Sequence, residues 1–436
     1  MSPIMLLAIF LLVFLGTAIA TKIPVAFAIG FGTLAIMSIK GAPILGFAQP
    51  IYTTLDNFAL LSMPFFIFAG AVMQYSGISD SLIKLVDSII GRVRGSLGAV
   101  TVVASMAFGV LTGSTAATLT AVGGMMISPM LKRGYSRPYC AALISASSFL
   151  GVLIPPSIPG ILYALAANQK ISEVWISTIG PGFLLGFMYI VINYFKRKKY
   201  EEKNTSPIVL TEYFKGVAVQ TKSAFWALLM PVIIFGGIYG GICTPTEAGA
   251  LSVVYGLMYF IFKKVVLKEK MENSLWNISV SSACTTAACA IIMCVSTAAG
   301  RAISMTGIST TLTNFMVSHI DNPVTFLTFV FVLLLIVGTF LDHTASILIL
   351  TPLFLPTVKA MHIDPVHFGA IMLVTLCVGL ITPPYAASLF IGTKITESRF
   401  ADVCKEIWPF VIAGVITSAA TVYWPPLTLY FVHLVQ

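Results

Sequence analysis

GVLTGSTAATLTAVGGMMISPMLKRG, Gly109 to Gly134, is followed by GVLIPPSIPG, Gly151 to Gly160, and the same order returns in the second half of the chain. There it reads VGTFLDHTASILILTPLFLPTVKA, Val337 to Ala360, then VGLITPPYAA, Val378 to Ala387. Each copy is apolar sequence of membrane-buried character, interrupted at its centre by Gly, Ser, Thr, Asp or a Pro pair. Main chain opened inside a bilayer has no water to satisfy it, so it must face a cavity, an ion or a solute rather than lipid. These two stretches therefore predict irregular backbone at membrane depth, twice over.

The rest of the composition agrees with a membrane protein. Charged residues make up 9% of the 436 and hydrophobic residues 58%, with a mean hydropathy of +0.96. Several segments exceed the roughly 18 apolar residues that span a bilayer. The net charge of +9 would suggest nucleic acid in a soluble protein, but the Lys and Arg sit in short loops between apolar segments, as cytoplasmic loop bias predicts. The seven Cys follow neither a disulfide framework nor a metal spacing. HExxH, the nucleotide P-loop and any soluble stretch long enough for an ATPase domain are missing, so the driving energy is expected from an ion gradient or another chain. Residues 3–20 lack a basic residue before the apolar run and read as a retained first span rather than a signal peptide.

The halves align at a nearly constant shift. Ala69-Gly70 and Gly77-Ile78-Ser79 match Ala299-Gly300 and Gly307-Ile308-Ser309 at 230, while Pro155-Pro156 and Pro181 match Pro383-Pro384 and Pro409 at 228. This predicts an all-α polytopic membrane protein built from two repeats, residues 1–195 and 223–436, joined by a basic cytoplasmic linker, 196–222, that contains KRKKYEEKN. Each repeat reads as two spans (3–20 and 23–40; 225–242 and 245–262) and a third (58–76; 283–303). An amphipathic segment follows (79–94; 305–320), then a hairpin (96–133; 323–360), a proline-broken span (138–167; 366–393) and a last span (174–195; 403–424). Residues 96–131 carry no charge but lie between Arg92 and Arg94 on one side and Lys132, Arg133 and Arg137 on the other, so both ends belong on one face. The segment must dip in and return as a re-entrant hairpin. Five full crossings per repeat then insert the second copy upside down, giving ten spans, two opposed hairpins and both termini outside. Inverted repeats with broken helices are the architecture expected of a secondary transporter.

Candidate ligands follow from the free helix ends that such breaks create. Unpaired carbonyls with nearby hydroxyls suit Na⁺, and free N–H groups at half-helix N-termini suit a carboxylate. The first site is expected to combine Gly113, Ser114, Thr115 and Thr118 with Ile154, Pro155, Pro156 and Ser157. The second combines Gly338, Thr339, Asp342 and Thr344 with Thr382, Pro383 and Pro384. The competing structural reading is that Pro pairs kink helices and Ser/Thr cap them. Asp342 is the one carboxylate within the hairpins and broken spans, a costly placement that reads as functional; its alternative is a helix cap next to His343 and Thr344. The solute is expected near Ser114, Ser157, Asp342, His343 and Thr344. Arg301, where the first repeat has Ala71, either binds a solute carboxylate or snorkels to headgroups. Thr244-Pro245-Thr246-Glu247 has the composition of a capping box rather than a catalytic motif.

Taken jointly, GSTAAT, LIPPS, TPTEAGA, FLDHTASILILTP and LITPPYA resemble the large membrane subunit of tripartite ATP-independent periplasmic (TRAP) transporters, across essentially the whole chain. The resemblance implies a Na⁺-driven elevator in the bacterial inner membrane, with hairpins and broken spans moving against a scaffold of outer spans and no cofactor beyond the coupling Na⁺. It also implies two partners, a small four-span membrane subunit and a periplasmic substrate-binding protein that delivers an organic acid. Sialic acid (N-acetylneuraminate) is the expected solute and C4-dicarboxylates the alternative. A stand-alone divalent-anion:Na⁺ symporter shares the broken helices. An intramembrane aspartyl protease needs two facing carboxylates, and Asp342 lacks that partner.

Overall fold

The computed structural model describes residues 2–21, 23–43, 45–90, 96–196, 210–266, 268, 271, 273–320, 322–384 and 386–435. Every regular element among them is helical. The first repeat runs α1 Pro3–Thr21, α2 Val25–Lys40, α3 Leu45–Leu55, a 3₁₀ turn Phe58–Leu61, α4 Ser62–Tyr75 and α5 Ile78–Ile90. It continues with the hairpin α6 Ser96–Thr112 and α7 Thr115–Lys132, the broken span α8 Arg137–Ser148, α9 Leu150–Leu153 and α10 Ile158–Ala167, and α11 Ile171–Lys196. The second runs α12 Leu210–Tyr239, α13 Pro245–Val265, α14 Leu275–Met305, α15 Ile308–His319, the hairpin α16 Pro323–Phe340 and α17 His343–Ala360, the broken span α18 Pro365–Gly379 and α19 Ala387–Thr396, α20 Phe400–Tyr423 and α21 Pro426–Val435.

Helix ends fall where local chemistry places them. Thr244 and Glu247 form the expected capping box, Thr244 N–H donating to Glu247 Oε2 at 2.7 Å and Glu247 N–H to Thr244 Oγ1 at 3.3 Å. Gly41, at φ 67°, closes α2 by donating its N–H to the last carbonyls. Several boundaries differ from those read in the sequence. α12 starts at Leu210 and takes in the second part of the linker, α11 begins at Ile171, and α14 is a 31-residue helix from Leu275 rather than a span from 283. The first-repeat counterpart of that helix is α3 plus α4, interrupted where Asn57 turns its side chain back to accept from Ala59 N–H at 3.0 Å. Lys22, Arg92, Arg94, residues 197–209 of the linker and Lys270 lie outside the described residues.

Packing relates the repeats by an exchange of partners. α1 packs on α15 and α12 on α5; α2 on α14 and α13 on α4; α7 on α19 and α17 on α10; α8 on α20 and α18 on α11. Each of these four contacts thus has a counterpart with the halves interchanged, as the duplication in the sequence predicts; α11 on α21 has none. The hairpins, broken spans, α11 and α20 share one large apolar core with α4, α5, α12 and α13, whereas α1, α2, α14 and α15 close a smaller one around Phe10, Phe14, Ile29, Ile36 and Ile303. Among the described residues eight helices are long and apolar enough to cross a membrane, and α8–α9 with α10, bent by 45°, make a ninth crossing. The ten crossings expected from sequence differ in membership: they include the shorter α1 and α2 and the second broken span α18–α19, and exclude α16 and α17, whose 18 residues each reach the required length. Within this hairpin α16 crosses α18 where Gly338 meets Gly379, about one turn before the tip and the break.

Candidate functional site

In the first repeat the hairpin tip is Gly113 and Ser114. Gly113 adopts φ +57°, its N–H donating to Gly109 O at 2.7 Å, and a methyl placed on it would stand 2.6 Å from Pro156 O. The tip therefore rests on the main chain of its own broken span. Ser114 is extended and precedes α7 without spending its hydroxyl on a cap. Thr118 Oγ1 donates to Ser114 O at 2.8 Å and lies 3.3 Å from Thr112 Oγ1. The Thr115 hydroxyl is buried and has no protein partner. An oxygen without a partner at that position is what a hard cation or a water would use.

The break opposite is held from both sides. α9 stops at Leu153, Ile154 is extended, the Pro155-Pro156 bond is cis, and Ser157 caps α10 by accepting from Gly160 N–H at 3.2 Å. Thr178 Oγ1 donates to Leu153 O at 2.8 Å and Trp175 Nε1 to Ser157 O at 3.0 Å. α11 thus fixes the residues flanking the break, with Gly182 against Ile154, and leaves the Pro156 carbonyl to face the tip. The Ser157 side chain is 1% exposed and accepts the cap hydrogen bond from Gly160, so it stands behind the break rather than on an open surface.

The second repeat repeats the construction with a charge. Asp342 caps α17, its Oδ1 accepting from Thr344 N–H at 2.9 Å, while its carbonyl accepts from Ser346 Oγ at 3.0 Å. Both readings of Asp342 are thus joined in one residue: the cap uses one carboxylate oxygen and leaves the other. His343 Nδ1 stands 3.2 Å from Oδ2 without a hydrogen-bond angle. The Asp342 side chain is 58% exposed against 13% for His343, so the carboxylate faces open space and the imidazole packs inward. Thr382 Oγ1 donates to Val378 O at 2.8 Å, Pro383-Pro384 is cis, and Thr339 Oγ1 donates to Ile336 O at 2.7 Å. Both hydroxyls keep lone pairs for a cation.

Two pairs of glycines that sequence reading passed over join each tip to its break. A methyl on Gly109 would stand 1.8 Å from Gly151 Cα, and one on Gly379 2.5 Å from Gly338 Cα. Their signal was present in the sequence, since Gly109 and Gly338 each fall four residues before a tip, and Gly151 and Gly379 four before a Pro pair. Trp175 and Thr178 had no such signal. The two broken spans also touch each other, Ser145 Oγ donating to Ser388 O at 3.2 Å.

The two tips are not equivalent in their surroundings. Gly113, Thr115 and Thr118 are buried and Ser114 is half-buried, whereas Asp342 and Pro384 are exposed and Thr339, Thr344, Thr382 and Pro383 half-buried. Gly70 of α4 stands on the first tip, where a methyl would be 2.7 Å from Leu111 O; its counterpart Gly300 of α14 stands instead on Pro352, 2.8 Å from its Cβ. Pro352 is ten residues from Asp342 along α17, or about 15 Å. Arg301, beside Gly300 and exposed, is therefore far from the second tip, a position that suits its headgroup alternative better than its solute one. Arg301→Gln is accordingly expected to leave the solute concentration for half-maximal uptake within about twofold of wild type, measured in reconstituted vesicles; a large rise would return Arg301 to the solute site.

Comparison with known proteins gives a consistent result. Residues 6–427 match the family model of the tripartite ATP-independent periplasmic transporter, DctM component. The chain is 35% identical over 94% of its length to the isethionate TRAP transporter permease protein DctMQ of Oleidesulfovibrio alaskensis, of which it spans 64%. It is 32% identical over 93% to the sialic acid TRAP transporter large permease protein SiaM of Vibrio cholerae, and 31% over 91% to the C4-dicarboxylate large permease of Pseudomonas aeruginosa, spanning 94% and 92% of those proteins. Its fold is similar to that of the Alcanivorax borkumensis YdaH transporter, with a TM-score of 0.62 over 87% of this chain and 88% of that one at 14% identity. Composition, broken helices, packing and these matches together make the protein a multi-pass transport protein and not an enzyme, and the chain belongs to the DctM component family of TRAP transporters.

Proposed function

We propose that the chain is the permease of a Na⁺-coupled importer of an organic acid, moving its solute by an elevator displacement of the hairpins and broken spans against the outer spans. The observation that carries this is a twofold construction: two hairpins, each crossing its own proline-broken span at a glycine pair about one turn before tip and break, present helix ends and hydroxyls at corresponding places. The residues bet on for Na⁺ are Gly113, Ser114, Thr115, Thr118, Ile154, Pro155 and Pro156 at one site, and Gly338, Thr339, Asp342, Thr344, Thr382 and Pro383 at the other. The solute enters between the tips beside Ser114, Asp342, His343 and Thr344.

The unequal seats of Gly70 and Gly300 support the elevator reading. In a symmetric arrangement both scaffold glycines stand at the same height on their hairpins, and the offset of about 15 Å is of the kind expected when one of two alternating states is occupied. Interchanging the halves yields the other state. The inverted insertion, both termini in the periplasm and an inner-membrane location belong to the same proposal.

Two partners complete it, a small four-span membrane subunit and a periplasmic substrate-binding protein. The relatives' names span isethionate, sialic acid and C4-dicarboxylate, which supports an organic acid as the solute class; N-acetylneuraminate is the first candidate and C4-dicarboxylate the second. In proteoliposomes holding the chain with its small subunit, uptake of binding-protein-loaded N-acetylneuraminate is expected only under an inward Na⁺ gradient. Uptake indifferent to Na⁺ would overturn the coupling, uptake without a binding protein would favour a stand-alone symporter, and uptake of malate or succinate alone would move the solute to the second candidate.

A further inference from the structure

We infer that the glycine pairs Gly109 with Gly151 and Gly338 with Gly379 are positioning residues for the two ion sites, each setting the distance between a hairpin tip and its helix break. The inference rests on the reading of tips and breaks as cation sites. It adds a specific cause for their spacing, in the helix crossing rather than in the ligand groups; Gly338, also assigned to the second site, keeps its carbonyl when a methyl is added.

Each crossing is backbone against backbone. A methyl on Gly109 would lie 1.8 Å from Gly151 Cα and 2.6 Å from Gly151 O; on Gly151, 2.7 Å from Gly109 Cα and 2.8 Å from Thr118 Oγ1. In the second repeat a methyl on Gly379 would lie 2.5 Å from Gly338 Cα, and on Gly338 3.0 Å from Leu376 O. Glycine is required because Cβ atoms cannot share that space, not because of a positive φ: of these four none is left-handed.

Position along the chain turns the contact into a gauge. Gly109 accepts the N–H of Gly113, so crossing and tip are separated by one helical turn, and Gly338 stands one turn before Asp342. Gly151 and Gly379 stand four residues before Pro155 and Pro383. In both repeats, then, two chains meet at the glycines and run one turn further before each opens. The opened carbonyls are brought together at a separation set by how closely the crossing packs, and in the first repeat Thr118, against Gly151, also bonds to Ser114 O of the tip. Binding constellations tolerate displacements of only about 0.5 Å, less than an added methyl demands at Gly109 or Gly379 and close to what it demands at Gly338. Two crossings whose repeat shifts agree within one residue, each about one turn before tip and break, are not needed merely to pack helices, since the scaffold packs α1 on α2 and α12 on α13 without such glycine pairs.

The test is a graded series of Gly338→Ala, Gly379→Ala and Gly109→Ala, with Gly236→Ala, which meets nothing within 4 Å, as control. Two readouts are taken: the Na⁺ concentration for half-maximal uptake in the reconstituted complex, and the Na⁺-dependent shift in thermal unfolding of the purified chain with its small subunit. The half-saturating Na⁺ is expected to rise on the order of threefold for Gly338→Ala and tenfold or more for Gly379→Ala, with maximal rate changing much less and the control unchanged. Gly109→Ala, the tightest, is expected to lose most. Gly338→Ala requires a neighbour to yield by only tenths of an ångström, so it folds and decides the matter if the others do not. Unaltered half-saturating Na⁺ in Gly338→Ala and Gly379→Ala, including the case where only thermal stability falls, overturns the inference. A wild-type protein with no Na⁺ response in either readout defeats instead the ion-site reading beneath it.

Discussion

Gly113→Val is expected to abolish uptake, by at least two orders of magnitude, in a protein that still inserts and folds. Two penalties fall on one residue. The φ of +57° is a region that β-branched residues essentially avoid, costing about 1–2 kcal/mol. The added side chain would also begin 2.6 Å from Pro156 O, inside any permitted contact. The hairpin can relieve both by lifting its tip from the break, which separates the carbonyls of the first site. Gly41→Ala isolates the first penalty, since Gly41 has φ +67° and nothing within 4 Å of a new methyl. It should lower thermal stability slightly and leave Na⁺-driven uptake intact. Wild-type uptake by Gly113→Val would remove the first tip from the transport site.

The second large effect is expected at Asp342. Asparagine there keeps an oxygen to accept from Thr344 N–H and so keeps the α17 cap, but removes the charge; alanine removes both. If the carboxylate neutralises a cation, both variants should lose Na⁺-driven uptake by on the order of a hundredfold. Only alanine should add a stability loss of about 1 kcal/mol, the ordinary value of a helix cap. If Asp342 served solely as a cap, asparagine would transport normally. That result, measured as initial uptake against Na⁺ concentration, would refute the charge's role at the second tip. The geometry favours function, because the carboxylate is the more exposed partner of the Asp342–His343 pair and its second oxygen is not used by the cap.

Much of this site was legible in the linear chain because turns and breaks are local chemistry. Gly113 supplies a positive φ, Ser157 and Asp342 supply caps, and a Pro pair cannot continue a helix, so tips and breaks fall where those residues stand. The capping box at Thr244 was legible for the same reason. The surroundings of Arg301 and Ser157 were not legible, for the opposite reason. Nothing in the residues around Arg301 states that Gly300 seats on Pro352, ten residues from the tip, and nothing around Ser157 states that Trp175 and Gly160 claim its carbonyl and hydroxyl. The break that divides α3 from α4 where α14 runs on depends on Asn57, which a search for apolar spans does not weigh.

By itself the sequence determined a membrane-embedded helical chain, its duplication and the places where each copy opens its backbone, because hydropathy, a constant repeat shift and the conformational limits of Gly and Pro are properties of neighbouring residues. Only the tertiary structure decided that each hairpin crosses its own broken span, that paired glycines hold it there, and that the two tips stand at different heights on the scaffold. Those outcomes arise from contacts between helices distant in the chain, where the closeness of approach is set by the side chains of both partners at once.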